Sequence, residues 1–191
     1  MVRASLKNND QPPAVFLIGF MGAGKSTVGQ YLARHKGWRF TDLDRLIEEH
    51  EGRTIAAIFQ KSGEAVFRKL ETEHLQRLLG QPRSSLPHIV ALGGGAYAHE
   101  ENARMIRAAG GVVIFLDAPM EELLRRCRAE PNTHVRPNLQ NEKIFRRLYE
   151  ERMAHYARAN VRIETTGRQV EEVAREVEQW LRKANILWEE S

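Results

Sequence analysis

The sequence predicts an α/β fold in three layers, α/β/α, with a five-stranded parallel sheet between two layers of helices. Three observations carry that expectation. Five short apolar runs rich in β-branched and aromatic residues are spaced along the chain. Stretches of helical period lie between them, and strands that alternate with helices build parallel sheets covered on both faces. The first run also passes through a glycine-bearing turn straight into a helix, in "VFLIGFMGAGKSTVGQYLA".

Taken in order, the strands are expected at Val15–Gly19, Trp38–Thr41, His88–Leu92, Val112–Leu116 and Val161–Glu164. Helical periods fill Lys25–His35, Leu43–Glu49, Ile55–Phe59, Glu64–Leu79, Glu100–Ala109, Met120–Arg128, Glu142–Arg158 and Val170–Leu181. No internal repeat or low-complexity tract interrupts them. One domain is expected over residues 14–184, with tails at 1–13 and 185–191, since chain ends are where order is lost. The segment "RAEPNTHVRPNLQN", residues 128–141, is polar, holds two prolines and separates two helices. A loop of that length is usually functional or disordered, and it is read as a lid.

Bulk properties exclude several classes. A chain of 191 residues can bury a core that folds without staples. The single cysteine, Cys127, rules out an intramolecular disulfide and any Cys-built metal site, which fits a reducing cytoplasm, the expected location. The opening "MVRASLKNNDQPP" has no apolar core, so it is not read as a secretory signal. No apolar run approaches the ~20 residues that cross a bilayer. A net charge of +4 suits anionic small molecules and equally a plain basic surface, and neither nucleic acid nor membrane is expected as a partner. The histidines are scattered, without the spacing of a zinc site.

Gly19, Gly24, Lys25 and Ser26 match G-x-x-x-x-G-K-[ST], with a strand before and a helix after. Phosphates need several backbone N–H donors converging on one point, and glycine permits the approach. The helix that follows turns its unpaired N–H groups and positive dipole end to the same anion. Residues Gly22, Ala23, Gly24, Lys25, Ser26 and Thr27 are therefore the expected nucleotide cradle. Lys25 faces the β- and γ-phosphates of ATP, and Ser26 supplies an oxygen to Mg²⁺.

The class of chemistry is narrowed by what surrounds the loop. A guanine-selecting N-K-x-D is missing, since "NEKI" at Asn141–Ile144 opens a helix. Motor and transport ATPases end a hydrophobic strand on an acidic residue, whereas "HIVALGGG" ends on glycines. Small-molecule kinases remain. In "FTDLD", Asp42 and Asp44 share one face if the chain is extended, at the carboxyl end where α/β sheets bind ligands. One carboxylate can hold Mg²⁺ through water while the other accepts a proton from the attacking hydroxyl. Helix capping explains one aspartate and not two.

In "GEAVFRKLE", Arg68 and Glu71 are three apart on a helix and can meet. Two readings stay open there: a surface ion pair, or an arginine that forks a substrate carboxylate. "LGGGAY" offers Gly93–Gly95 as bare backbone for a ligand or as an ordinary tight turn. Arg136, in "HVRPNLQ", is placed to neutralise transferring phosphate from the lid. Arg152, in "EERMAHY", has an exposed helical arginine as its default reading.

Together these motifs resemble the shikimate kinase family from about Val15 to Leu181. "GFMGAGKST", "FTDLD", "FRKLE", "GGGA", the lid "RP" and "ERMAHY" stand in that family's order. The phosphate loop is shared with unrelated ATPases, while D-x-D, F-R-x-x-E, G-G-G and R-x-x-x-Y in this spacing are specific. The resemblance implies a P-loop NTPase fold with strand order 2-3-1-4-5, as in nucleoside monophosphate kinases. It implies ATP- and Mg²⁺-dependent phosphorylation of the 3-hydroxyl of shikimate, a step toward chorismate and the aromatic amino acids, by a monomer. Asp44 would hold the shikimate hydroxyl and act as base or orienter. Arg68 and Arg152 would clamp the carboxylate, and Gly94 and Gly95 would bond ring hydroxyls. Lys25 would bridge the β- and γ-phosphates, with Arg136 closing over them. Ser26 and Asp42 would serve Mg²⁺, the latter through water, and Arg126 and Arg168 resemble the arginines that flank adenine.

Two positions depart from the family pattern. Asn138 replaces an apolar lid residue, and Ala91 stands where a hydroxyl residue often precedes the glycines, at the expense of one water-mediated Mg²⁺ contact. Two rival readings are a kinase for another hydroxy acid such as gluconate, and a ligand-sensing domain of a regulator. The first class lacks the F-R-x-x-E and G-G-G pair. The second normally carries a helix-turn-helix, for which about a dozen residues before the first strand are too few.

Overall fold

The computed structural model describes residues 11–82, 84–129 and 142–186. Its strands are β1 (Val15–Ile18), β2 (Arg39–Asp42), β3 (His88–Ala91), β4 (Val112–Asp117) and β5 (Val161–Glu164). Its helices are α1 (Lys25–Lys36), α2 (Leu43–Glu51), α3 (Ile55–Leu79), α4 (Glu100–Ala108), α5 (Met120–Ala129), α6 (Glu142–Tyr156) and α7 (Val170–Lys183). All five strands are parallel, in the order β2-β3-β1-β4-β5. Element ends fall within about two residues of those expected, the usual spread at frayed termini.

Burial follows the sequence. "VFLI" and "VVIFLD" are uninterrupted apolar runs up to the closing aspartate, and every residue of β1 and β4 is buried. That is the pattern of central parallel strands with helices on both faces. β2 and β5 alternate and lie at the two edges, half-exposed. Strand β1 thus enters the middle of the sheet, and the turn after it opens among the carboxyl ends of β1, β2 and β3.

The two helical periods expected at Ile55–Phe59 and Glu64–Leu79 are one element, α3, broken at Gly63 with φ 82° and ψ 169°. Such a left-handed backbone is strained for any residue with a Cβ, so glycine marks the break. The first arm carries Ile55 and Phe59 toward the cavity described below, and the second carries Phe67, Arg68 and Glu71. The lid expected at 128–141 lies almost wholly outside the described residues, with Arg136 and Asn138 inside that gap. Among the described residues, no helix is long and apolar enough to cross a membrane.

Candidate active site

The phosphate loop has the geometry its sequence requires. Gly22 and Gly24 adopt φ 80° and 87°, and Gly24 caps α1 from the left-handed region. Ala23 is buried beneath the loop and donates its N–H to the Phe20 carbonyl at 3.2 Å. No acidic residue stands in the first turn of α1, so nothing there opposes an anion at the helix's positive end. Lys25 Nζ donates to the carbonyls of Gly19 (2.9 Å) and Phe20 (3.1 Å), which holds the ammonium at the loop's mouth.

The D-x-D pair is arranged differently from the extended-chain expectation. Strand β2 ends at Asp42, which is the N-cap of α2 and accepts from the backbone N–H groups of Asp44 (3.1 Å) and Arg45 (3.3 Å). The two side chains therefore share no strand face. Asp44 lies in the first turn of α2, and capping belongs to Asp42. One Asp42 oxygen caps; the other, Oδ2, accepts from the Ser26 hydroxyl at 2.5 Å. Asp44 is left for chemistry.

A cavity of about 310 Å³ opens between the loop and the two arms of α3. Gly22, Gly24, Lys25, Ser26, Thr27 and Asp42 form one side; Asp44, Phe59, Phe67, Arg68, Glu71, Gly93, Gly94, Gly95 and Arg152 line the rest. The three glycines after β3 each admit charged side chains close to the backbone. A Cβ at Gly93 would stand 2.6 Å from Asp44 Oδ1 and 3.0 Å from Glu71 Oε1. One at Gly94 would meet an Arg152 nitrogen at 3.0 Å, and one at Gly95 would meet both terminal nitrogens of Arg68 at 2.7 Å. The bare backbone is thus occupied first by the protein's own charges, which it packs at the cavity floor.

Electrostatics follow from that packing. Arg68 Nη1 donates to Glu71 Oε2 at 2.9 Å, and Glu71 is fully buried. A surface ion pair is therefore excluded as the reading of this spacing, although Arg68 also reaches the exposed Glu64 at 3.1 Å. Burial pushes the Glu71 carboxyl up, with Arg68 pulling it back. Asp44 is raised from 3.8 to about 7, first by burial and then by the charges of Glu71 and Asp42, against the pull of Lys25 and Arg68. Arg152 lies over the Phe20 ring at 5.2 Å, and Arg68 over that of Phe67 at 5.2 Å, so each guanidinium has one apolar face.

Two other arginines stand outside the cavity. Arg126 donates to Thr165 Oγ1 (2.9 Å), the Thr165 carbonyl (2.8 Å) and Glu122 (2.7 Å), and reaches the Gly22 carbonyl at 3.4 Å. It ties the phosphate loop to the turn after β5. Arg168 is held on α7's side by Glu176 (2.5 Å) and the carbonyls of Glu164 and Glu172. It makes no contact with the phosphate loop among these bonds.

A family model described as shikimate kinase matches residues 21–182. The chain belongs to the shikimate kinase family. It is 44% identical to the shikimate kinase of Geobacter metallireducens over 87% of this chain and 90% of that one. With the shikimate kinase of Persephonella marina it shares 41% over 85% of this chain and 95% of that one. A solved structure of the Acinetobacter baumannii shikimate kinase in complex with shikimate superposes with a TM-score of 0.82 at 34% identity, covering 93% of this chain and 97% of that one. The protein is a kinase, and ATP is its phosphoryl donor.

Three residues that the motifs contain carry no assigned site role from the sequence, yet the structure places them at or beside the cavity floor. Glu71 sits four residues from both Phe67 and Leu75 on the buried stripe of α3, a signal in plain view for a carboxylate pointed inward. Gly93 belongs to the glycine run read as bare backbone, but the resemblance gives a role only to its two neighbours. Tyr156 closes the R-x-x-x-Y motif, and its contact with Gly94 spans 62 residues, beyond the reach of any local pattern.

Proposed function

We propose that this kinase transfers the γ-phosphoryl group of ATP to the 3-hydroxyl of shikimate, giving shikimate 3-phosphate and ADP. One observation carries the reading. A single cavity joins a phosphate loop to a floor where Asp44 stands beside two guanidiniums, Arg68 and Arg152. A hydroxy acid has the matching groups: a carboxylate for the arginines and a hydroxyl for Asp44. The relative from Acinetobacter baumannii, solved with shikimate, supports the choice among hydroxy acids.

Each role follows from local chemistry. Two guanidiniums fork the carboxylate and fix the ring's orientation. The N–H groups of Gly94 and Gly95 take ring hydroxyls at a surface without side chains. Asp44, with its pKa near 7, accepts the proton of the 3-hydroxyl as the new P–O bond forms, since a base poised near the working pH is the most effective. Lys25 exchanges its loop carbonyls for the β- and γ-phosphate oxygens, and Gly22–Thr27 cradle the nucleotide with their N–H groups. Arg136, outside the described residues, closes over the transferring group, while Arg126 and Arg168 border the adenine side.

The donors also fit Mg²⁺. The Ser26 hydroxyl and Asp42 Oδ2 are hard oxygens side by side next to Lys25, and among the described residues no cluster of three ligating side chains forms a cage. Mg²⁺ is held that way, by one or two protein oxygens plus phosphates and water. Ser26, and Asp42 through water, would hold the ion there, where it would supply positive charge beside the phosphates. Ala91 pairs with Asp42 across β2–β3, so its methyl stands where a hydroxyl would add one more oxygen. All residues assigned belong to one chain, so a monomer suffices, and the buried free Cys127 fits a reducing cytoplasm. The test is a coupled ADP-release assay with ATP and Mg²⁺ over shikimate, quinate and gluconate. Turnover with shikimate far above the other two is expected; gluconate in first place would overturn the reading.

A further inference from the structure

The motif R-x-x-x-Y ends on Tyr156, which no step above uses. Its side chain is 1% exposed, and its ring lies 5.1 Å from that of Phe115. The hydroxyl is the one polar atom of this buried side chain. It donates to the Gly94 carbonyl, and the Arg152 guanidinium stands beside the same hydroxyl and the same glycine, 3.0 Å from where a Cβ of Gly94 would lie. Burial pushes the phenol far above its ordinary range, so it stays a donor at every working pH. One atom thus links two parts of the cavity floor, the glycine turn and an arginine.

The geometry of the peptide gives that link a direction. In a trans peptide the C=O of one residue and the N–H of the next point to opposite sides. Fixing the Gly94 carbonyl toward Tyr156 therefore aims the Gly95 N–H the other way, toward the cavity that Gly95 lines. Three consecutive glycines have the widest choice of backbone conformation of any tripeptide. Nothing in their own side chains can stop the Gly94–Gly95 peptide from turning over, which would replace a donor by a carbonyl.

We propose that Tyr156 is a positioning residue for substrate selection: its hydroxyl locks the Gly94–Gly95 peptide with the N–H facing the substrate ring and steadies Arg152 beside it. This rests on the reading of the cavity as the shikimate site. The residue touches no substrate; it acts through Gly94 and Arg152.

The test compares wild-type enzyme with Tyr156→Phe, using steady-state kinetics on shikimate and on its single-deoxy analogues, together with thermal melting. Tyr156→Phe should raise the shikimate KM about tenfold or more, the loss of one well-placed hydrogen bond, with the ATP KM unchanged. The wild-type preference for shikimate over the analogue lacking the ring hydroxyl that meets Gly95 should shrink toward unity in the variant. 4-Aminophenylalanine at position 156 restores an N–H donor to Gly94 and should restore that preference. A variant that weakens shikimate and every analogue in equal proportion, or keeps the wild-type preference, overturns the proposal, as does an aminophenylalanine enzyme without recovery. Wild-type enzyme inactive on shikimate would instead overturn the reading of the site, and the inference with it.

Discussion

Asp44 and Glu71 aim one carboxylate oxygen each at the same backbone position. Asp44 Oδ1 and Glu71 Oε1 lie 2.6 and 3.0 Å from where a Cβ of Gly93 would stand, and neither oxygen has a hydrogen-bond partner among the described residues. Two buried carboxylates that close cannot both ionise freely, and their protons come off as a coupled pair.

The acid limb of kcat/KM for shikimate should accordingly lie near pH 7, because Asp44 must be ionised to take the hydroxyl proton and its pKa is about 7. Glu71→Gln removes the largest of the charges that raise Asp44 and releases Arg68, so the limb should move to lower pH. A pH–rate profile of both enzymes checks this. A limb that stays in place would mean that another group controls it.

Stability should depend on pH through the same residue. The folded pKa of about 7 exceeds the ordinary 3.8, so as pH rises the unfolded chain ionises Asp44 first and stability falls between those two values. Above the upper value the unliganded protein carries the full cost. Asp44→Asn should therefore raise the melting temperature at pH 8, by about 2–4 °C per kcal/mol relieved, and change it little near pH 4. It should abolish turnover while nucleotide affinity stays near wild type.

Lys25→Ala should lower turnover by ~10²-fold or more, since its ammonium meets charge that develops in the transition state. The fold, read by circular dichroism, should persist, because Lys25 lines the cavity and its Nζ bonds to loop carbonyls rather than packing in the core. A variant with over a tenth of wild-type turnover would refute the role.

Arg68→Ala and Arg152→Ala should each raise the shikimate KM by tens-fold, the equivalent of about 1.5–3 kcal/mol for a lost charged hydrogen bond. The ATP KM should barely change. Arg68→Ala also strips Glu71 of its cation, so its melting temperature should drop more than that of Arg152→Ala.

The glycines separate the two functions. Gly93→Ala places a methyl against Asp44 and should chiefly lower kcat, because a displaced base costs rate even over small distances. Gly95→Ala presses on the Arg68 guanidinium and should chiefly raise the shikimate KM. Identical kinetic signatures for the two would contradict this division.

How much of this was legible in the sequence depended on reach along the chain. Lys25 and Ser26 were readable because the phosphate loop is built from neighbours, and a strand and helix on either side confirm it. The pairing of Asp42 with Asp44 is legible in the sequence, but their geometry is not, because the strand ends at Asp42, which caps the next helix. The Arg68–Glu71 spacing gave contact but not depth, and depth is what turns an ion pair into part of a site. Arg168, assigned by resemblance, is held by Glu176 and the carbonyls of Glu164 and Glu172, all near it in sequence, but spacing alone does not say that the turn before α7 folds back to bring them together. Tyr156 meets Gly94 only because the fold brings α6 against the turn that follows β3.

The sheet order sets a schedule for making the protein. Strand β1 and its phosphate loop leave the ribosome first, yet β1 lies between β3 and β4, which begin at His88 and Val112. Closing those long chain segments must precede the pairing that shapes the loop. During synthesis, "VFLI" therefore waits as an apolar segment without its sheet partners while residues 19–87 emerge before β3 and residues 19–111 before β4, the period in which such surface is most prone to aggregate. The part of the molecule that handles nucleotide is born earliest and takes its shape late, and a chaperone has more to guard at residue 15 than at residue 161.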